Sequence, residues 1–221
     1  MKAVIKHIVA HTYKPLLVKY LSKTRQYRYG DIRLEIPPQV FHPGFFFSTQ
    51  LLLQYITGLS LAGKRFLELG AGSGLISIHA AKNGATVTAS DINTEAITQL
   101  KKNSIANNTA LVIFHADLFT GIPEQVFDII AINPPYYKKQ PHTPIDHAWY
   151  CGENGEYFTG LFEQLPNYIN DKSEVIMVCC DGCDMAMIRK IAADNGFELR
   201  TMLAKQNLLE KNFIFKIERT T

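Results

Sequence analysis

From Lys64 to Asn133 short apolar runs alternate with helical stretches, and this alternation restricts the chain more than any other feature. Arg65-Phe66-Leu67-Glu68-Leu69 reads as a strand, Gly70-Ala71-Gly72-Ser73-Gly74 as a tight turn, and Leu75 to Lys82 as a helix ended at Asn83-Gly84. Ala85 to Ser90 gives a second strand closing at Asp91. A helix from Asn93 to Asn107, capped by Asn93, leads to a third strand, Leu111 to His115, and Val126 to Ile132 gives a fourth. Strands that take turns with helices build βαβ units around a parallel sheet. Downstream, Glu156 to Ile169 reads as a helix, Glu174 to Cys180 as a fifth strand and Met185 to Asn195 as a helix. Phe197 to Lys205 and Asn212 to Glu218 read as a closing antiparallel hairpin. The expected class is α/β: seven strands, mostly parallel, closed by an antiparallel hairpin.

The chemistry gathers where strands end. The fourth strand runs into Asn133-Pro134-Pro135-Tyr136. Each proline lacks a backbone N–H and fixes φ, so the chain must leave the sheet there. One amide, a rigid turn and one aromatic ring are thereby placed at a strand's carboxyl end, where open α/β sheets bind ligands. The Asn133 oxygen and a nearby backbone carbonyl can accept from a planar NH₂ group, while the Tyr136 ring stacks on its face. Upstream, the glycine turn lets backbone approach a ligand and aims a helix N-terminus at it. Asp91, at the end of the next strand, suits ribose hydroxyls. Asp117 suits an adenine amino group with Leu118 flanking the ring, and Glu68 suits a cationic group. Taken singly, Asp117 also reads as a turn cap and Glu68 as an exposed strand end. The glycine spacing, Gly70-x-Gly72-x-x-Leu75, departs from the pattern of nicotinamide dinucleotide sites.

Bulk properties set the surroundings. A chain of 221 residues that is 47% hydrophobic suffices for one core. Its net charge of +3 gives no strongly basic coat. No apolar run reaches membrane-spanning length, the N-terminus shows no signal-peptide pattern, and four cysteines with an adjacent pair fit a reducing compartment. These traits point to the cytoplasm. The first 30 residues carry Lys2, Lys6, Lys14, Lys19, Lys23, Arg25 and Arg28 without an Asp or Glu. Apolar positions there recur at helical spacing, broken by Pro15, and predict two short amphipathic helices. Residues 1–40 are therefore expected as a helical and extended appendage, with Ile32, Leu34 and Ile36 alternating as in a strand, and residues 41–221 as the main domain. The basic segment reads either as a solvated face or as an arm for an acidic partner. His7 and His11 lack the further ligands of a metal site. Pro43-Gly44-Phe45-Phe46-Phe47 precedes a helix from Thr49 to Thr57 and reads as a staple or as an aromatic wall over a ligand. Cys180-Asp181-Gly182-Cys183 reads as structural. His142, Asp146, His147, Lys138 and Lys139 fall in the loop after Tyr136 and read as exposed or substrate-facing.

Glu68-Leu69-Gly70-Ala71-Gly72-Ser73-Gly74, Asp91, Asp117 and Asn133-Pro134-Pro135-Tyr136 together resemble the motif series of class I S-adenosylmethionine-dependent methyltransferases. The resemblance covers most of residues 40–221 and implies a Rossmann-like methyltransferase sheet and an enzyme with S-adenosylmethionine as cofactor. It implies cofactor binding by Glu68, Gly70, Gly72, Gly74, Asp91, Ile92, Asp117, Leu118 and Asn133. Catalysis falls to Asn133, Pro134, Pro135 and Tyr136, with no metal. Within that superfamily the Asn-Pro-Pro-Tyr signature is similar to that of enzymes acting on a planar amino or amide nitrogen. Val40-Phe41-His42-Pro43 and the stretch Ala148 to Glu156, with Gly152 and Gly155, resemble the compact release-factor glutamine methyltransferases of the HemK type. This chain departs from that family just afterwards, with Phe46-Phe47-Ser48 where an acidic residue and Thr are usual. The implied reaction is methylation of a glutamine side chain in a translation factor. An adenine or guanine exocyclic amine of RNA is the alternative, and a non-catalytic cofactor-binding scaffold is the reading from another class. Expected partners are a protein substrate or RNA, with no membrane and with room for a small activating protein.

Overall fold

The computed structural model describes residues 19–208 and 210–220. The expected helices of the first 18 residues, and His7 and His11 with them, lie outside the described residues. Lys19–Leu21 is helical, but the basic stretch then turns into a strand, β1 (Arg25–Tyr29), which the helical reading did not anticipate. It pairs antiparallel with β2 (Ile32–Ile36) as a separate two-stranded sheet. The period of two in β2 explains its role. Ile32, Leu34 and Ile36 are buried, whereas the backbone of Arg33 and Glu35 faces a helix that supplies the missing ladder. Two carboxamides do this: Asn107 accepts from Arg33 N at 2.9 Å and donates to its carbonyl at 2.7 Å, and Asn103 makes the same pair with Glu35, both at 3.0 Å. A strand edge that would invite other chains is thereby satisfied.

The main sheet follows the expected alternation. α1 (Phe47–Thr57) precedes β3 (Arg65–Leu69), α2 (Leu75–Lys82), β4 (Thr86–Asp91), α3 (Thr94–Ala106), β5 (Leu111–His115) and β6 (Ile129–Ile132). Then come α4 (Glu156–Gln164), β7 (Glu174–Cys180), α5 (Met185–Asp194), β8 (Phe197–Gln206) and β9 (Lys211–Arg219). The strand order is β5-β4-β3-β6-β7-β9-β8; β9 inserts antiparallel between β7 and β8, and the other pairings are parallel. Two expected elements are shorter. The helix expected to reach Ile169 changes to a 3₁₀ turn at Leu165–Tyr168, where Pro166 has no N–H to continue α4. The strand expected from Val126 begins at Ile129.

Alternate strand residues feed two cores. Leu67, Leu69, Ile130, Ile132, Val175 and Met177 pack with α4 and α5 through Phe158, Phe162 and Ile188. Phe66, Ile129, Ala131, Ile176 and Val178 pack on the other face with α1, α2 and β2. Because β2 and Val40 share that second core, the N-terminal hairpin is anchored against the sheet. Among the described residues no helix is long and apolar enough to cross a membrane.

Candidate active site

The chain winds outward in opposite directions from β3 and β6, which lie side by side with Leu69 opposite Ile132. Their next residues, Gly70 and Asn133, therefore diverge at one crevice, the switch point at which α/β sheets take ligands. A cavity of about 400 Å³ opens there. It collects Glu68, Gly70, Gly72, Asp91, Ile92, Asp117, Leu118, Asn133, Pro134, Pro135 and Tyr136. Eleven of the twelve residues expected at the site thus meet in one space.

Asp91 is tied down by backbone. Gly72 N donates to its Oδ2 at 2.8 Å and Asn93 N to its Oδ1 at 2.9 Å. One lone pair on each oxygen is thereby used and the others remain for hydroxyl donors. Burial raises its pKa, against these hydrogen bonds. Gly72 has φ +54, and a Cβ built on it meets nothing within 4 Å. The turn therefore lays bare backbone beside open volume, the space a bulky polar ligand requires. Glu68 is buried at 6% exposure, not an exposed strand end. Its Oε2 accepts from Ser77 N at 2.8 Å and from Ser77 Oγ, in the first turn of α2. Burial still pushes its carboxyl up to about 8. A cation beside it would restore the anion. Asp117, just past the end of β5, is exposed on the cavity wall, and Leu118 beside it holds φ +51, a left-handed conformation that costs a branched side chain energy.

Gly74 is the exception. It is not on the cavity wall; it turns the chain into α2 with φ +91, and a Cβ there would overlap Leu100 Cδ1. Its glycine serves packing between the turn and α3.

At the end of β6, Asn133 Nδ2 donates to Thr49 Oγ1 at 3.2 Å, and its Oδ1 accepts no hydrogen bond among the described residues. Thr49 lines the same cavity from the first turn of α1. Sequence reasoning passed over it. The signal available was a hydroxyl pair, Ser48-Thr49, in the first turn of the helix, just ahead of the apolar run Leu51-Leu52-Leu53. Burial raises the Tyr136 pKa, so the phenol stays neutral. Phe41, Phe46 and Trp149 cluster with ring centroids 4.3 to 5.3 Å apart. Phe41 and Trp149 line the cavity, whereas none of Phe45, Phe46 and Phe47, the expected aromatic wall, does: Phe46 packs on Phe41 and Trp149, and Phe45 lies exposed outside. The loop 138–150 folds over the mouth, pinned at its base where Tyr137 N donates to the Trp149 carbonyl and Cys151 N to the Tyr137 carbonyl. Asp146 braces it, accepting from His142 N and Thr143 N at 3.0 Å each, while His147 faces the cavity. Lys138 pairs with Asp184. Cys180 and Cys183 are free thiols with sulfurs 3.8 Å apart, and no group of metal-ligating side chains exists among the described residues.

The methyltransferase small-domain family matches residues 32–150, more than half the chain, and its match spans the glycine turn, Asp91 and the Asn133 signature. The chain belongs to this family. A Methanocaldococcus jannaschii protein provisionally named as a protein N5-glutamine methyltransferase is 35% identical over 153 residues, covering 66% of this chain and 75% of its own length. A release factor glutamine methyltransferase of Thermodesulfovibrio yellowstonii is 28% identical over 214 residues, 86% of this chain and 75% of its own. Among solved structures, the Encephalitozoon cuniculi Mtq2–Trm112 complex, responsible for methylating the termination factor eRF1, superposes with a TM-score of 0.63. It is 19% identical and covers 82% of this chain and 99% of that one, a likeness of fold.

This methyltransferase uses S-adenosylmethionine. The residues present fit it: a bared glycine turn, a carboxylate at the end of β4 for ribose, and a buried carboxylate whose ionisation calls for a cation. When bound, S-adenosylmethionine supplies a methyl group on a positively charged sulfur.

Proposed function

We propose that this methyltransferase modifies a glutamine side-chain amide in a translation release factor. The observation that carries the reading is the cavity wall itself. Among the described residues its acidic lining is Glu68, Asp91, Asp117 and Glu156, joined by His147, and no Lys or Arg lines it. A nucleic-acid backbone draws most of its affinity from cations that neutralise phosphate. A neutral amide needs none. The relatives named for glutamine methylation support the same choice.

An amide nitrogen is a poor nucleophile because its lone pair is delocalised. Asn133 Oδ1 and the Pro134 carbonyl would accept from the two N–H bonds of the acceptor and favour a nitrogen turning tetrahedral. The Tyr136 ring would fix its plane, and the loop 138–150 would keep water out. Glu68, Gly70, Gly72, Asp91, Ile92, Asp117 and Leu118 would hold the cofactor. Rate then comes from orientation and from dipoles already in place. A small activating protein belongs to the same proposal, which the occurrence of Mtq2 in a complex with Trm112 supports.

The second reading, an exocyclic amine of an RNA base, is favoured by the exposed Lys23, Arg28 and Arg33 around the N-terminal hairpin. Transfer of a tritiated methyl group into cell extract, divided by protease and nuclease, separates the two. Label lost to protease and retained through nuclease is expected, and label lost to nuclease refutes the glutamine reading.

A further inference from the structure

The Asn133 carboxamide must meet an NH₂ group with its oxygen, yet its two ends are almost alike in shape. Rotation by half a turn would present its own NH₂, donor against donor. With Oδ1 turned to the acceptor, Nδ2 faces α1, where a buried donor without a partner is costly. The residue found there is Thr49, 6% exposed, whose Oγ1 lies 3.2 Å from Nδ2. A hydroxyl can accept that hydrogen bond and still turn its own hydrogen elsewhere.

We infer that Thr49 is a positioning residue, holding the Asn133 amide with its oxygen toward the methyl acceptor. The placement is built in from two directions. Asn133 is fixed at the end of β6 by the two prolines after it. Thr49 is fixed in α1, whose Leu51, Leu52, Leu53 and Ile56 are buried in the core beneath the sheet. Neither side chain has to be ordered by the substrate. The orientation is preset, so the energy of acceptor binding is free for the transfer step. The role is indifferent to whether the NH₂ belongs to glutamine or a base, but it rests on Asn133 being the residue that meets it.

The test is a double-mutant cycle on the full chain. Its acceptor is whichever fraction of extract takes up tritiated methyl. Thr49→Val, close in shape to the original, should lower kcat/KM about ten- to a hundredfold. The calorimetric Kd for S-adenosylmethionine should stay within about twofold, and Thr49→Ser, which keeps the hydroxyl, should restore most of the rate. Asn133→Ala should lower kcat/KM far more than Thr49→Val does, and adding Thr49→Val should take nothing further from the rate that remains, because the two act as one unit. Full activity in Thr49→Val, a matching loss of cofactor affinity, or additive losses in the double variant would each overturn the inference. Full turnover in Asn133→Ala would instead remove the reading of Asn133 on which it stands.

Discussion

Glu68 makes the site's charge logic measurable. It is buried, and its carboxyl is pushed up to about 8, chiefly by burial and in spite of two hydrogen bonds from Ser77. At pH 7 the free protein therefore holds this carboxyl mostly protonated, about ten to one. Recruiting the anion for a cationic methionine group costs about 1.4 kcal/mol per pH unit below 8. Affinity for S-adenosylmethionine should rise about tenfold per unit between pH 6 and 8 and level off above, on top of any titration of the ligand itself. Glu68→Gln keeps an oxygen for the Ser77 donors but cannot ionise. The ligand's own titration is common to both proteins, so the difference between their calorimetric profiles isolates Glu68. Stability supplies an independent check. The folded pKa lies above the unfolded 4.5, so this group's contribution is fully present below pH 4.5 and is lost as the pH rises toward about 8. A shift of this size corresponds to roughly 5 kcal/mol. Without cofactor, Glu68→Gln should gain on the parent in urea melts as the pH is raised through that window. Parallel pH profiles of affinity for the two proteins would refute the assignment of Glu68 to the cationic group.

Asp91→Ala should weaken S-adenosylmethionine binding by about 1–3 kcal/mol, the range for losing a charged hydrogen-bond partner, and unchanged calorimetric affinity would move the ribose contact elsewhere. Gly74→Ala combines a left-handed backbone with overlap on buried Leu100, so urea unfolding should show a loss of about 2–4 kcal/mol. Once folded, that variant should bind cofactor as the parent does, since Gly74 is off the cavity wall.

Local chemistry made most of the architecture legible. The seven strands of the main sheet and their helices stand where apolar periodicity placed them, because glycine, proline and Asn caps punctuate the chain at each change of direction. Asn133-Pro134-Pro135-Tyr136 had to lie at a strand end whatever the fold, since two prolines cannot continue a central strand. The same holds for the glycine turn after β3. Tertiary structure decided what no window of residues contains. β1 is a strand because β2 lies beside it, and β2 is held because Asn103 and Asn107, some seventy residues away, complete its edge. Glu68 reads as an ordinary strand-end acid until the sheet and α2 close over it and make its charge expensive. Gly74 reads like its two neighbours until Leu100 arrives. Thr49 looks like one polar residue at a helix start, and only the packing of α1 against the sheet brings its first turn to Asn133, 84 positions along the chain. Periodicity and turn chemistry act over a few residues, so sequence carries them openly. Burial and partnership arise between distant segments, and they exist only once the chain has folded.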